Sequence, residues 1–404
     1  MEEQLSLFEA SYEKPVLPKR IRLIEFFAGI GAQAKALEML GLPFEHHRTC
    51  EWSWQSIIAY NAIHFGGVKE EFPDLTYDQV LDRIEGVSND YNKPMTRNEL
   101  KRRGEKWARE VLGAMAKNHN LCPNVSKLHA SDLGIDDRDG YTTLLTYSFP
   151  CQDLSNAGTL KGMEKGSGTR SGLLWEVERI LNECRELDCL PQVLLMENVP
   201  GVCGTANLKP WNEWLDALEG MGYTNYYKIL NAKDYGIPQN RQRCFMLSIL
   251  GDYSYHFPKK VKLRYLLKDF IKKGVDESYY LSDELVAGFK RHTEEQKAKG
   301  NGFGFKPKDG MGTSNTITTK EGSRTDDTFL EIPSATEKGY MEAREGDGVL
   351  PNWKGARGTV QTGGCPTILT SPDTIGVIVE DERDKTDTPR VLAGETMETG
   401  KGGF

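Results

Sequence analysis

An α/β fold is predicted, a mixed sheet with helices on both faces, and three observations predict it. Apolar runs of strand length alternate with amphipathic helical stretches over the first 250 residues. The first run, Ile21 to Phe27, turns into a helix through Ala28-Gly29-Ile30-Gly31-Ala32. Two later runs stop at a proline beside a reactive side chain: Thr143 to Phe149 delivers Pro150-Cys151-Gln152, and Gln192 to Met196 delivers Glu197-Asn198 before Val199-Pro200-Gly201. Parallel sheets place their chemistry at the carboxyl ends of strands. Two strands that present such groups at the same end read as a constructed site, with Cys151 as nucleophile and Glu197 as an acid beside it.

Length and composition set the bounds. With 404 residues and 38% hydrophobic content, the chain can bury a full core and form two or three domains. No apolar run approaches about 20 residues and the N-terminus is Glu-rich, so a soluble, cytoplasmic protein is expected. The eight cysteines are scattered, with no CxxC pair or His/Cys spacing suited to zinc; they read as reduced thiols, and no metal is expected. A formal charge of −8 excludes a protein coated in basic residues but leaves room for a local positive face.

Residues 1–20 carry Pro15 and Pro18 in a polar context and read as an N-terminal arm. The helix after the Gly turn has Ala36, Leu37 and Leu40 as apolar positions and ends near Gly41. Glycines let a backbone approach a cofactor closely, but the strict dinucleotide fingerprint needs three, and Gly29 and Gly31 alone also suit a purely structural turn. The next strand, Phe44 to Cys50, closes on Glu51-Trp52, and a helix from Ser53 to Phe65 follows. An acid roughly 20 residues after the turn is where ribose hydroxyls are held, which favours a cofactor site.

Residues 66–128 form an insertion rich in charge and poor in apolar periodicity, and the third strand position is hard to find there. Arg97 to Lys117 reads as one helix with Lys101, Arg102, Arg103, Lys106 and Arg109 close together, either a solvated face or a phosphate-contacting one. Asp132, in Ala130-Ser131-Asp132-Leu133, is placed to accept from an adenine amino group. Asn156 to Arg170 holds Gly158, Gly162, Gly166 and Gly168 with little to anchor it, and is expected to act as a lid. Gly172 to Leu187 is an amphipathic helix, Trp211 to Met221 another, and strands follow at Tyr223 to Leu230 and Cys244 to Leu250. Arg241 and Arg243, two apart on an extended segment, point the same way toward one anionic or carbonyl-bearing ligand.

Beyond residue 250 the composition changes. His256 to Lys273 is basic, and the region to 380 is rich in Gly, Thr and short β-like runs with an imperfect repeat, Gly312 to Thr319 against Gly363 to Thr370. It reads as a smaller loop- and strand-rich domain that supplies recognition. Residues 381–404 are polar and Gly-rich and are expected to form a flexible tail.

In this order, Phe27-Ala28-Gly29-Ile30-Gly31, Glu51-Trp52, Asp132, Pro150-Cys151-Gln152, Glu197-Asn198-Val199 and Gln239-x-Arg241-x-Arg243 resemble the DNA (cytosine-5) methyltransferase family over residues 21–250. The resemblance implies an S-adenosylmethionine-binding, Rossmann-like catalytic domain at 21–250 with a seven-stranded sheet, and a target-recognition domain at 251–380. It implies that Phe27, Ala28, Gly29, Ile30, Gly31, Glu51, Trp52, Asp132, Leu133, Pro150 and Leu173 line the cofactor pocket. Cys151 would add to cytosine C6, and Glu197, as an acid that keeps its proton at a desolvated strand end, would engage N3. Arg243 would hold the base O2, Arg241 would support the Cys loop, and Asn198 would orient the site. The target is expected to flip out of duplex DNA, with Gln152 and Ser155 closing behind it and Lys259, Lys260 and Lys262 on phosphates.

The family's closing segment, of the Arg-x-Leu-Thr-Pro-Arg-Glu type followed by a Gly-Asn-Ser helix, has no counterpart after residue 250. Two expectations follow: an active DNA methyltransferase of bacterial or phage type in a restriction-modification setting, or a non-catalytic or split subunit whose cofactor pocket a second polypeptide completes. An RNA cytosine methyltransferase fits less well, because the domain after 250 exceeds what a short tRNA reader needs. A nicotinamide-dependent oxidoreductase leaves the Pro-Cys and Glu-Asn-Val strand ends without purpose.

Overall fold

The computed structural model describes residues 19–90, 93–120, 122–135, 140–154, 162–271, 281–300, 304–317, 324–325, 327–330, 348–350, 359–361 and 376–377. These divide into two compact units, one running to Asn231 and resuming from Gln242 to Lys259, the other formed by Ala232–Arg241 and the chain from Lys260 onward.

The first unit is built on strands β1 (Arg20–Phe26), β2 (Phe44–Cys50), β3 (Tyr141–Tyr147), β4 (Val193–Asn198), β5 (Tyr223–Asn231) and β6 (Gln242–Leu250) in the order β2-β1-β3-β4-β6-β5. The first four run parallel and β6 is antiparallel to both its neighbours. Alternation along β1 explains the two-faced core. Ile21 and Leu23 meet Ala34 and Leu37 of helix α1 (Ala32–Met39), while Ile24 and Phe26 join the larger core on the other face. That core takes in helices α6 (Leu174–Glu186) and α7 (Leu208–Gly220), whose Val177, Ile180, Leu181, Trp211, Trp214 and Leu218 are buried at helical spacing.

Six strands are described where the resemblance implied seven. The position beyond β2, where an additional edge strand would sit, is a single parallel bridge from Thr49 to Asn120. The chain there is spent on helices instead: α5 (Glu105–Lys117) packs on α2 (Trp54–Phe65), and α3 (Tyr77–Arg83) and α4 (Arg97–Arg103) pack on α5. Apolar periodicity is present after all. Ala108, Val111, Leu112 and Met115 of α5 form a separate core with Ile57, Val80, Leu81, Ile84 and Leu100. The single helix expected over Arg97 to Lys117 breaks at Gly104, whose φ of 88° ends α4 and starts α5. Much of its basic face is paired internally: Arg97 with Asp78 and Asp82, Lys101 with Asp78, and Arg109 with Glu105, while Arg103 lies over the rings of Trp54 and Trp107.

In the second unit, helix α8 (Asp283–Ala298) is capped by the Ser282 hydroxyl, and Phe289, Phe305 and Phe329 stack with centroids 5.2 to 5.5 Å apart. Short strands β7 (Gly348–Leu350), β8 (Thr359–Gln361) and β9 (Gly376–Val377) form an antiparallel sheet. Of the expected repeat, Gly363 to Thr370 lies outside the described residues, as do the tail from 381 and Ser155. Among the described residues no helix is long and apolar enough to cross a membrane.

Candidate active site

After β1 the chain moves to β2 on one side and then returns to β3 on the other, so the direction of winding reverses between β1 and β3. In open α/β sheets the crevice beyond the carboxyl ends at such a reversal is where ligands bind. The register makes the ends level: Phe26 pairs with Cys50 and with Tyr147, Tyr147 with Met196, and Asn198 with Cys244. The Gly turn, Glu51, Cys151 and Glu197 therefore leave the sheet along one rim, and antiparallel β6 brings Arg243 to the same rim from its amino end.

The cofactor half is organised by backbone. Phe27, Gly29 and Gly31 all adopt positive φ (55°, 55° and 79°), which for a phenylalanine costs roughly 1–2 kcal/mol and marks a turn held by its surroundings. The two glycines are needed for different reasons. A Cβ on Gly31 would come within 2.3 Å of His64 and 2.6 Å of Tyr60, whereas one on Gly29 meets nothing within 4 Å. Gly29 thus faces the open space a ligand would fill.

Across that space, Glu51 is 7% exposed. It accepts from the amides of Gly29 (2.8 Å) and Ser53 (2.7 Å); burial pushes its pKa up while these amides pull it down. Trp52, Phe27 and Leu173 are half-buried, the last two against the main core; Ala28 and Leu133 are buried and Ile30 is exposed. Asp132 stands exposed on a 3-10 turn, with one carboxylate oxygen accepting the His129 amide at 2.9 Å. A buried acceptor opposite an unfilled glycine turn fits the ribose of a nucleoside cofactor.

The reactive half is organised by side chains. Cys151 is half-buried in the turn after Pro150, closed by a bond from the Leu154 amide to the Cys151 carbonyl at 3.0 Å. Asn198, 2% exposed, donates to the Phe149 carbonyl at 3.0 Å and so ties the end of β4 to the end of β3. Glu197 pairs with the Arg243 guanidinium at 2.9 Å; its side chain is 23% exposed, so the expectation of a desolvated carboxyl is corrected to one held beside a cation. Its position explains this, since β6 places Arg243 at the register level just beyond the Asn198–Cys244 pair. The Gln152 side-chain carbonyl oxygen is buried and meets no hydrogen-bond donor among the described residues.

Three residues that sequence reasoning passed over hold the Cys turn. Asp153, 4% exposed, accepts from the Arg170 amide at 2.9 Å, and the Ser171 hydroxyl donates to the Pro150 carbonyl at 2.6 Å, linking the Cys151 turn to the segment that carries Leu173. Gly201 lies so close that a Cβ there would stand 2.4 Å from the Leu154 carbonyl oxygen. Asp153 directly after Pro-Cys-Gln, and the glycine of Val199-Pro200-Gly201, were the available signals. The expected lid is anchored where it is described. Gly162 donates to the Asp153 carbonyl at 3.0 Å, Met163 is fully buried, and Lys165 pairs with Glu178.

Arg241 does not share a strand with Arg243. It belongs to the second unit, in the turn before β6, where its carbonyl accepts from the Ala232 amide at 3.0 Å. Lys259 and Lys262 are exposed, and Lys260 is paired with Asp234 at 2.7 Å.

A family model described as C-5 cytosine-specific DNA methylase matches residues 82–362. The orphan methyltransferase M.SssI of Spiroplasma monobiae is 38% identical over 290 residues, 70% of this chain and 72% of that protein. The type II methyltransferase M2.ScrFI of Lactococcus lactis subsp. cremoris is 35% identical over 271 residues, 66% of this chain and 72% of that one. Among solved structures, the Dnmt2 methyltransferase of S. pombe superposes with a TM-score of 0.50 at 17% identity, covering 78% of this chain and 77% of that chain, a likeness of fold.

Proposed function

The chain belongs to the C-5 cytosine-specific DNA methylases, enzymes whose methyl donor is S-adenosylmethionine, and from that premise we propose that it methylates a flipped-out cytosine of duplex DNA through a covalent bond from Cys151. The observation that carries this reading is the convergence of Cys151, the Glu197–Arg243 pair and the Gly29–Glu51 turn along one rim of the sheet.

The Cys151 thiolate adds its electron pair to C6, and the C5–C6 π pair moves toward C5 while Glu197 protonates or hydrogen-bonds N3. S-adenosylmethionine would be held across Phe27–Gly31, Glu51, Trp52, Asp132 and Leu173 and would supply its methyl group to the C5 electron pair, the S–CH3 bond pair staying on the sulfur of the thioether that leaves. A base then removes the C5 proton, the C5–C6 double bond re-forms, Cys151 leaves as thiolate, and a proton given to N3 returns to Glu197. Arg243, already held by Glu197, supplies a donor to the base O2. Asn198 keeps the ends of β3 and β4 together so that thiol and acid meet one ring. The buried, unpartnered carbonyl of Gln152 is an acceptor that DNA flanking the flipped base would satisfy.

The second unit is read as the recognition domain, with its Lys262 and, at the end of the first unit, Lys259 on phosphates, and the protein as acting in the cytoplasm on a short DNA sequence, as part of a restriction-modification pair or as an orphan enzyme. Transfer of tritiated methyl from S-adenosylmethionine tests the reading, with duplex DNA and tRNA as competing acceptors. Label in DNA 5-methylcytosine supports it. Label in tRNA alone overturns the substrate, and label in neither, with DNA still bound, directs attention to a second polypeptide that completes the pocket.

A further inference from the structure

Behind the Gly turn, on the face of the sheet away from the main core, three side chains from three elements converge. Glu38 comes from α1, His46 from β2 and His64 from α2, and one ligating atom of each lies within 4.8 Å of the others. The hydrogen bonds decide which atoms face inward. His64 Nε2 meets the Ile30 carbonyl at 3.1 Å, and a carbonyl only accepts, so Nε2 carries a proton; Nδ1 faces inward and donates to Glu38 Oε1, 2.7 Å away, so a cation binding here would take the place of the Nδ1 proton. His46 is fixed from its far side too. Tyr60 gives its one proton to Glu25 at 2.6 Å, so its oxygen accepts from His46 Nδ1 at 2.8 Å, leaving the Nε2 lone pair inward, 3.9 Å from the same Glu38 oxygen.

Two imidazole nitrogens and a carboxylate oxygen directed at one point, each histidine anchored by a donor bond from its other nitrogen, is the arrangement that transition-metal sites use. The outer bonds are themselves buttressed. Glu25 is 1% exposed behind Tyr60, and Lys35 holds the other Glu38 oxygen at 2.7 Å. The surround is aromatic, with Phe44 and Phe65 about the His46 ring at centroid distances of 4.8 and 5.0 Å. An entry path exists through Glu38, whose side chain is 29% exposed, while that of His64 is fully covered.

We propose that Glu38, His46 and His64 bind a divalent cation of the zinc class, with a water completing the tetrahedron, and that this cation braces the cofactor turn. Imidazole and carboxylate donors suit zinc and cobalt(II) and disfavour magnesium or calcium, which take all-oxygen sets. The brace is direct. His64 bonds the Ile30 carbonyl, and its ring fills the space that a Cβ on Gly31 would need, so fixing His64 fixes the turn. The site meets the cofactor turn through His64 at Ile30 and Gly31, but cation binding is read without cofactor or DNA, so the proposal stands or falls apart from that reading.

The test is titration of the purified full chain, stripped with chelator, with zinc by calorimetry and with cobalt(II) by visible absorption. One cation per chain, with the intense visible bands of tetrahedral cobalt, is expected. Glu38→Gln and His64→Gln should each weaken binding by at least about tenfold, and Tyr60→Phe, which removes the bonds to His46 and Glu25 but no ligand, by about 10 to 100-fold. His47→Gln, altering a neighbouring histidine bound to the carbonyls of Leu133 and Gly134, should leave binding unchanged. Zinc should raise the melting temperature of the wild type and of His47→Gln but not of His64→Gln. Absence of stoichiometric binding by the wild type overturns the proposal, as does binding that survives in Glu38→Gln/His64→Gln, and both results identify the cluster as a plain His64–Glu38 ion pair.

Discussion

Glu51 and Glu197 stand at strand ends on the same rim, yet they are held in opposite ways. Glu51 is fixed by two backbone amides inside a turn that cannot relax without refolding, while Glu197 is fixed by the side chain of Arg243 and remains partly exposed. The difference teaches that the two halves of the site are prepared to different degrees. On the proposed reading, the cofactor half is an acceptor set by backbone amides, and the base half rests on a pair of side chains.

That contrast is broken most severely at Cys151. Cys151→Ser should abolish methyl transfer while leaving the dissociation constant of S-adenosylmethionine unchanged, because the Gly turn does not depend on the thiol; isothermal titration beside a methylation assay reads both. Next in size, Glu197→Gln keeps shape and hydrogen bonding but cannot give up a proton, so kcat should drop on the order of 10² to 10⁴-fold with cofactor affinity intact. An unchanged kcat would remove Glu197 from the acid role.

The cofactor half should answer in binding instead. Glu51→Gln should weaken S-adenosylmethionine by about 10 to 100-fold, the loss of a hydrogen bond to a charged acceptor. The wild type should also lose affinity as pH falls, and the sign follows from the chemistry. Ribose hydroxyls donate to the carboxylate, protonation removes that acceptor, and because burial raises the Glu51 pKa above its ordinary 4.5 the loss begins at a higher pH than for a free glutamate. Glu51→Gln should flatten this dependence. The smallest effect expected is at the junction of the halves. Gly201→Ala must push the Leu154 carbonyl aside, lowering stability by about 1–3 kcal/mol and kcat more than KM, since it displaces the turn that carries the thiol.

The residues proposed for the chemistry at Cys151 and Glu197 were legible because each lies at the end of a strand, and a strand end beside a proline or glycine is a pattern a single sequence displays. What was not legible depends on contacts distant in the chain. Gly201 reads as a turn glycine, and only the packing against Leu154 shows why nothing larger fits. Asp153 reads as a polar loop residue until Arg170 is brought beside it. The apolar face of Ala108 to Met115 was masked by the charges around it, and the break at Gly104 shifted its phase. Glu38, His46 and His64 share no sequence spacing at all, since a helix, a strand and a second helix each contribute one. Arg241 and Arg243 show the converse error. Their i, i+2 spacing implied one extended segment, but the strand begins at Gln242 and the two fall in different units.

The most direct test of the central claim is covalent trapping on duplex DNA that contains 5-fluorocytosine. With purified chain and S-adenosylmethionine, the fluorine cannot leave C5 as a proton does, so the Cys151–C6 bond should persist after methyl transfer. The expected result is a denaturation-resistant protein–DNA adduct that requires the cofactor and disappears in Cys151→Ser. An adduct that forms equally in Cys151→Ser, or methylation of ordinary cytosine with no adduct on the fluorinated duplex, would contradict it.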